Sequence, residues 1–128
     1  MNKPDDIRWK LLNEEADDAI STQSWFQLGV IYYNMAEFVT NEGKDAQYLR
    51  DQAYKFKLMS QREDLLAYGQ SEVVSSVEIL TAKGKCGACL HKNGDIYSIS
   101  TALKLNPLPI KTCGNIYGCR CVYVPVID

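Results

Sequence analysis

Cys86-Gly87-Ala88-Cys89, then Cys113, then Cys119-Arg120-Cys121: all five cysteines of the 128-residue chain fall in its last third, with the spacing C-x2-C-x23-C-x5-C-x-C. Two sulfurs three residues apart on a glycine-containing turn can grip one ion together. Two more at i and i+2 of an extended segment project from the same face, so folding can bring the pairs together as a tetrahedral thiolate site. The ligand candidates are Cys86, Cys89, Cys113, Cys119 and Cys121, five for four places, with the lone histidine, His91, as a sixth. The expected cofactor is Zn2+. A closed four-ligand site holds a fold together and leaves no position for a substrate, so the pattern points to architecture before activity.

Working outward, the module around these cysteines reads as β-rich. Val73, Val74, Val77, Ile79 and Leu80 form a β-branched run leading into the cysteine turn. Asn93-Gly94-Asp95 reads as a tight turn, and Ile96-Tyr97-Ser98-Ile99 as the strand that leaves it. Ser100 or Thr101 can cap a helical turn through Leu105, ended by Pro107, and Cys119 to Val124 alternates as a last strand. Gly69-Gln70-Ser71 is the boundary signal that sets this module off.

Upstream the rhythm is helical. Ile7, Leu11 and Leu12 support a short first helix over about residues 5–19, which carries the acidic stretch Glu14, Glu15, Asp17 and Asp18. Those carboxylates could be imagined as metal ligands or an acid–base pair; a solvated run is the plainer reading, since no histidine accompanies them. Ser21 or Thr22 can cap a second helix to about Thr40, with Trp25, Leu28, Gly29, Tyr32, Ala36 and Val39 inward. Gly43 stands where a left-handed residue ends such a helix. A third, from about Asp45 to Ser60, presents Ala46, Leu49, Ala53 and Phe56; Arg62-Glu63-Asp64 follows as a charged transition, and Leu65 to Tyr68 either ends the helix or starts another short turn. The expected fold class is therefore α+β: a helical region over 1–70 whose hairpin packs on a small zinc-binding β module over 71–128.

Trp25, Leu28, Gly29 and Tyr32 fit the W-x2-L-G-x2-Y opening of a tetratricopeptide repeat, and the segment 22–56 resembles one such hairpin. It departs from the family in needing about five extra residues between its helices, in carrying Arg50 where an aromatic is usual, and in being a single copy. The resemblance implies a protein-binding scaffold. From Cys86 to Tyr123 the chain also resembles the C-terminal signature of phage head-morphogenesis (minor head) proteins. The matching elements are Cys86 and Cys89, Gly94, Tyr97, Pro107 to Pro109, and Cys119-Arg120-Cys121; Cys113 stands where that family has a histidine. What this resemblance implies is the zinc module.

Composition narrows the function classes. The content is 46% hydrophobic and 23% charged, ordinary for a globular protein rather than a disordered one. No apolar run approaches membrane-spanning length and no signal-peptide pattern opens the chain, so a cytoplasmic protein with no membrane partner is expected. In a reducing compartment closely spaced cysteines are ligands more often than disulfides, and five is an odd number to pair. The net charge of −2 hides an asymmetry: residues 1–81 carry 8 Lys and Arg against 14 Asp and Glu, and residues 82–128 carry 6 against 2. The plain reading is that the two halves attract each other.

Three functions compete. The first is a non-enzymatic zinc protein with a protein partner. The second is a nucleic-acid binder using Lys83, Lys85, Lys111 and Arg120 on phosphates, with Tyr97 or Tyr117 stacking on bases. The third is thiol redox chemistry at Cys86 and Cys89, which lacks the helix that would activate the first thiol because Asn93-Gly94-Asp95 follows so closely. A Ser/His/Asp set and a phosphate-cradling glycine loop are both missing from the sequence, so it offers no catalytic residues.

Overall fold

The computed structural model describes residues 4–81, 92–110 and 119–127. Within them the chain is α+β, with four helices and one three-stranded antiparallel sheet. It divides into two compact units, 1–57 and 58–128, and the division falls inside the third helix.

The first unit is a three-helix packing. Helix α1 spans Pro4–Ser21, α2 spans Trp25–Asn41, and α3 begins at Gln47 and runs to Gly69. On α1 the buried stripe is Leu12, Ala16 and Ala19, at i, i+4 and i+7, whereas Ile7 and Leu11, expected inward, are about half exposed. The two alanines let α2 come close, and Leu28, Ile31 and Met35 complete that cluster with Trp9, Trp25, Tyr32, Leu49 and Phe56 packed around it. The hairpin thus has a third helix of its own covering its apolar face.

Ser21 and Thr22 do not cap α2. They close α1: the Thr22 amide and hydroxyl both donate to the Asp18 carbonyl, at 3.2 Å each, and Gln23 then turns through a left-handed φ of 54°. Ser24 is the residue preceding α2, and its side chain makes no capping bond. The Ser24 hydroxyl is instead drawn to the preceding turn, where it and the Thr22 hydroxyl bond each other at 2.9 Å. At the other end Gly43 takes a φ of 79° one residue past the cap, the position where a side chain would be strained.

Because α2 lies between two helices it is buried on more than one side. Gly29 and Tyr33 look toward α3, where a Cβ built on Gly29 would lie 2.6 Å from Cγ of Lys57. Lys57 is 7% exposed and sets its ammonium 5.2 Å from the Tyr33 ring centroid, so its stem is packed and its charge is stabilised by the ring. The clash involves the root of that side chain, with the α3 backbone close behind, and cannot be relieved by moving its tip. Gly29→Ala is accordingly expected to destabilise the chain by about 1–3 kcal/mol, despite alanine's better helix propensity. A chemical-denaturation midpoint equal to or above that of the parent would show that the helices part at little cost.

The second unit holds the last turns of α3, strand β1 (Val74–Leu80), β2 (Ile96–Ser98), helix α4 (Ile99–Leu105) and β3 (Val122–Ile127). The sheet order is β2-β1-β3 with both pairings antiparallel, and Leu80 pairs with Val122 while Val77 pairs with Tyr97 and Pro125. Pro125 is tolerated because β3 is an edge strand. The period of two turns Val77, Ile79, Cys121 and Tyr123 inward, onto Leu65, Ala102, Leu108 and Cys119. Val122 is 44% exposed, because its neighbours on both sides, Cys121 and Tyr123, face in.

Three boundaries differ from expectation. Helix α3 does not stop at Ser60 but runs through Arg62-Glu63-Asp64 to Gly69, since Glu63 and Asp64 lie on its exposed side and Leu65 is completely buried. Helix α4 is capped by Ser98, whose hydroxyl accepts from the Thr101 amide at 3.2 Å, rather than by Ser100 or Thr101. The last strand begins at Val122 rather than Cys119 and continues to Ile127.

Tyr123 ties this core to the segment after α4. The Leu108 amide donates to its phenolic oxygen at 3.0 Å, and burial pushes the Tyr123 pKa up to about 12. Tyr123→Phe would leave the Leu108 N–H buried without an acceptor, at an expected cost of about 1–3 kcal/mol near neutrality. The protonated phenol is the form the fold favours, so its contribution is complete below pH 10, the unfolded value, and is lost as pH rises toward 12. The stability gap between parent and variant should therefore narrow across that interval; a gap that stays constant to pH 12 would show the phenol titrating normally.

Candidate metal centre

Cys119 and Cys121 are the two candidate ligands among the described residues. They flank Arg120 on an extended approach to β3, and the alternation buries both, at 3% and 1% exposure, while Arg120 faces solvent. The same-face projection expected of an i, i+2 pair is therefore present, directed into the core of the second unit. Cys86, Cys89, Cys113, His91, Lys83, Lys85, Lys111 and Tyr117 lie outside the described residues. Among the described residues no three His, Cys, Asp or Glu side chains come together as a metal-holding group.

The framework around the pair is well defined. Cys121 is one position beyond the Leu80–Val122 pair, which sets it beside Thr81, the last described residue of the β1 strand's exit. That exit is tied to the entry of β2: the Thr81 amide and hydroxyl both donate to Oδ1 of Asn93, at 3.2 and 3.1 Å, and Ile79 exchanges backbone bonds with Asp95 and Gly94 at 2.9 Å. Gly94 takes a φ of 86°, as the Asn-Gly-Asp turn requires. The two stems of the segment that carries Cys86 and Cys89 are thus held together, at the end of the sheet where Cys121 enters.

Helix α3 supplies the other wall. Gln61 donates from Nε2 to the Cys121 carbonyl at 2.9 Å, Tyr68 donates to the Tyr123 carbonyl at 3.4 Å, and Arg62 donates from Nη1 to the Leu103 carbonyl and to Oδ1 of Asn106, at 2.7 Å each. Gln61 Oε1 is the one buried side-chain polar atom among the described residues with no hydrogen-bond partner. Leaving such an acceptor unmet costs about 1–3 kcal/mol. Cys119 and Cys121 both face the core, and Gln61, which bonds the Cys121 carbonyl, keeps Oε1 buried without a donor. The sequence reading missed Gln61 by ending the helix at Ser60; continued, Gln61, Leu65 and Tyr68 fall at i, i+4 and i+7 on one face.

Other candidates resolve differently. Tyr97, expected to be available for stacking, is half-buried against the core, and its hydroxyl accepts from Nζ of Lys92 at 3.4 Å. The carboxylates of Glu14, Glu15, Asp17 and Asp18 are exposed, and Glu15 and Asp18 rim an open cleft of about 520 Å3 floored by Ala19, Val30 and Ile31. No described helix is long and apolar enough to cross a membrane. No family model, curated protein or solved structure matches the chain.

Proposed function

We propose that the chain is a cytoplasmic, non-enzymatic protein that binds one structural Zn2+ through its cysteines and uses its helical unit to engage a protein partner. The observation that carries the metal reading is the pair Cys119 and Cys121, buried side by side in alternation at the end of the sheet where the stems of the Cys86–Cys89 segment are tied. Cys86 lies five positions after Thr81 and Cys89 four before Asn93, so extended chain could travel at most about 18 and 14 Å from these stems. That reach is ample to bring the first thiol pair to the second, with Cys113 competing for a place. The likeness to phage head-morphogenesis proteins enters this proposal only through the zinc module, and the likeness to a tetratricopeptide hairpin only through the interaction role.

The zinc would supply no chemistry to a substrate; four protein thiolates would close its coordination and couple its binding to folding. Elemental analysis of protein purified without chelator tests this, with one zinc per chain expected. Zinc well below one equivalent, in protein whose five thiols titrate as reduced, would overturn the metal reading.

One observation favours a second reading. Arg120 stands in solvent between two buried cysteines, where its guanidinium can reach a phosphate. Binding of a labelled oligonucleotide that weakens steeply with salt and is lost in Arg120→Ala would support nucleic-acid recognition by the basic module over a protein partner.

A further inference from the structure

The cleft between α1 and α2 lies wholly within the first unit. Its floor is apolar: Ala19 and Ile31 are buried at its base, and Val30 is exposed beside them. Its rim on α1 is formed by Glu15 and Asp18, which have no ion-pair partner among the described residues. The same flank continues toward the start of the helix. Ile7, Leu11, Glu15 and Asp18 are spaced i, i+4, i+8 and i+11, so they follow one another along one side of α1. That placement accounts for Ile7 and Leu11 being half exposed although their rhythm reads as inward: they flank the buried stripe of Leu12, Ala16 and Ala19 instead of joining it. Charge around the cleft is of one sign. From Leu11 to Gly43, which takes in most of α1 and all of α2, the chain has six carboxylates and no Lys, Arg or His.

That sign works against phosphates, since a nucleic acid or an anionic membrane surface would be repelled. Nor do Glu15 and Asp18 make a cation site, because no third His, Cys, Asp or Glu side chain joins them among the described residues. An apolar seat edged with unpaired acids fits an occupant that is apolar on one face and carries ammonium or guanidinium groups at the border of that face. An amphipathic helix presents its side chains in this order, laying its apolar stripe between two helices and setting Lys or Arg on the rim. The cleft, at about 520 Å3, falls within the size range of binding clefts. We propose that it docks a basic amphipathic helical segment of the partner protein. This rests on the interaction role of the helical unit given above and adds the partner's seat and sign. Apolar contact with Val30 and Ile31 supplies affinity, while the exposed acids orient the partner and speed its approach, so binding weakens with salt without vanishing.

The test titrates a labelled peptide with the full chain and reads fluorescence anisotropy. The peptide has about 18 residues, five helical turns, built of Leu and Lys at amphipathic spacing, and a matched peptide with Glu in place of Lys is the comparison. The parent is expected to bind the basic peptide about 10-fold or more tighter than the acidic one. Glu15→Lys with Asp18→Lys should weaken the basic peptide by about 10-fold or more, and Val30→Ser, which removes apolar surface from the floor, by about 10-fold. Glu14→Lys with Asp17→Lys makes the same change in net charge outside the cleft lining and should keep most of the parent affinity. All four carboxylates are exposed, so denaturation midpoints close to the parent's are expected in both double variants. If either does not fold, the neutral pairs Glu15→Gln with Asp18→Asn and Glu14→Gln with Asp17→Asn are read by the same criteria. Equal weakening in the two charge variants, parent-like affinity in Val30→Ser, or an acidic peptide bound as tightly as the basic one would overturn the docking site while leaving the interaction role standing. A parent that binds neither peptide would remove both.

Discussion

Replacing Cys86 and Cys89 together by serine is expected to abolish stoichiometric zinc, the largest effect of any change considered. Structural zinc in small modules contributes on the order of 10 kcal/mol of apparent binding free energy, and that energy is folding energy wherever the site does not exist without the fold. This pair is the better one to remove. Cys119 and Cys121 are themselves core residues, packed with Leu65, Val77, Ile79 and Tyr123, so serine there would bury hydroxyls and destabilise the unit whether or not metal is bound. Chelation of the parent should reproduce the loss seen in the double variant. Retention of one zinc equivalent per chain after both substitutions would sink the ligand assignment.

The second large effect is expected at Leu28. It is completely buried at the centre of the three-helix cluster, and Leu28→Ala should cost about 3–5 kcal/mol, read as a lowered denaturation midpoint at unchanged slope. Trp25, which the repeat-like pattern marks as the anchor, is only half-buried; its ring stacks on Phe56 with centroids 6.1 Å apart. Its truncation to alanine should cost less, about 2 kcal/mol, because much of its surface stays in water in the folded state. If Trp25→Ala proved the more damaging of the two, the aromatic stack of Trp25, Phe56 and Tyr32 would be the true keystone of the unit. Trp25→Ala with an unchanged midpoint and a lost partner would mark it as a binding residue instead.

How much was legible varies by element and for identifiable reasons. Residues Leu28, Gly29 and Ala36 read correctly as inward because one helix face has one period, and Val77 and Ile79 did so because a strand has another. Burial of Ile31 and Met35 was not readable from that single face, since it arises where α1 packs on α2. The start of α2 after Ser24 was hidden by two suitable hydroxyls at Ser21 and Thr22, which the turn at Gln23 assigns to the preceding helix.

The sequence by itself determined the α+β order, the two periodicities, the turn at Asn93-Gly94-Asp95 and the inward pairing of Cys119 with Cys121 around Arg120. All of these are consequences of backbone geometry acting over a few residues. Tertiary structure alone decided that α3 continues past its charged stretch, that β3 starts at Val122, and that Gln61 meets the Cys121 carbonyl. Local propensity was nearly neutral at each of those points. The outcome turned on whether Leu65 and Tyr123 could be buried together with β1, a long-range gain that no short window of residues contains.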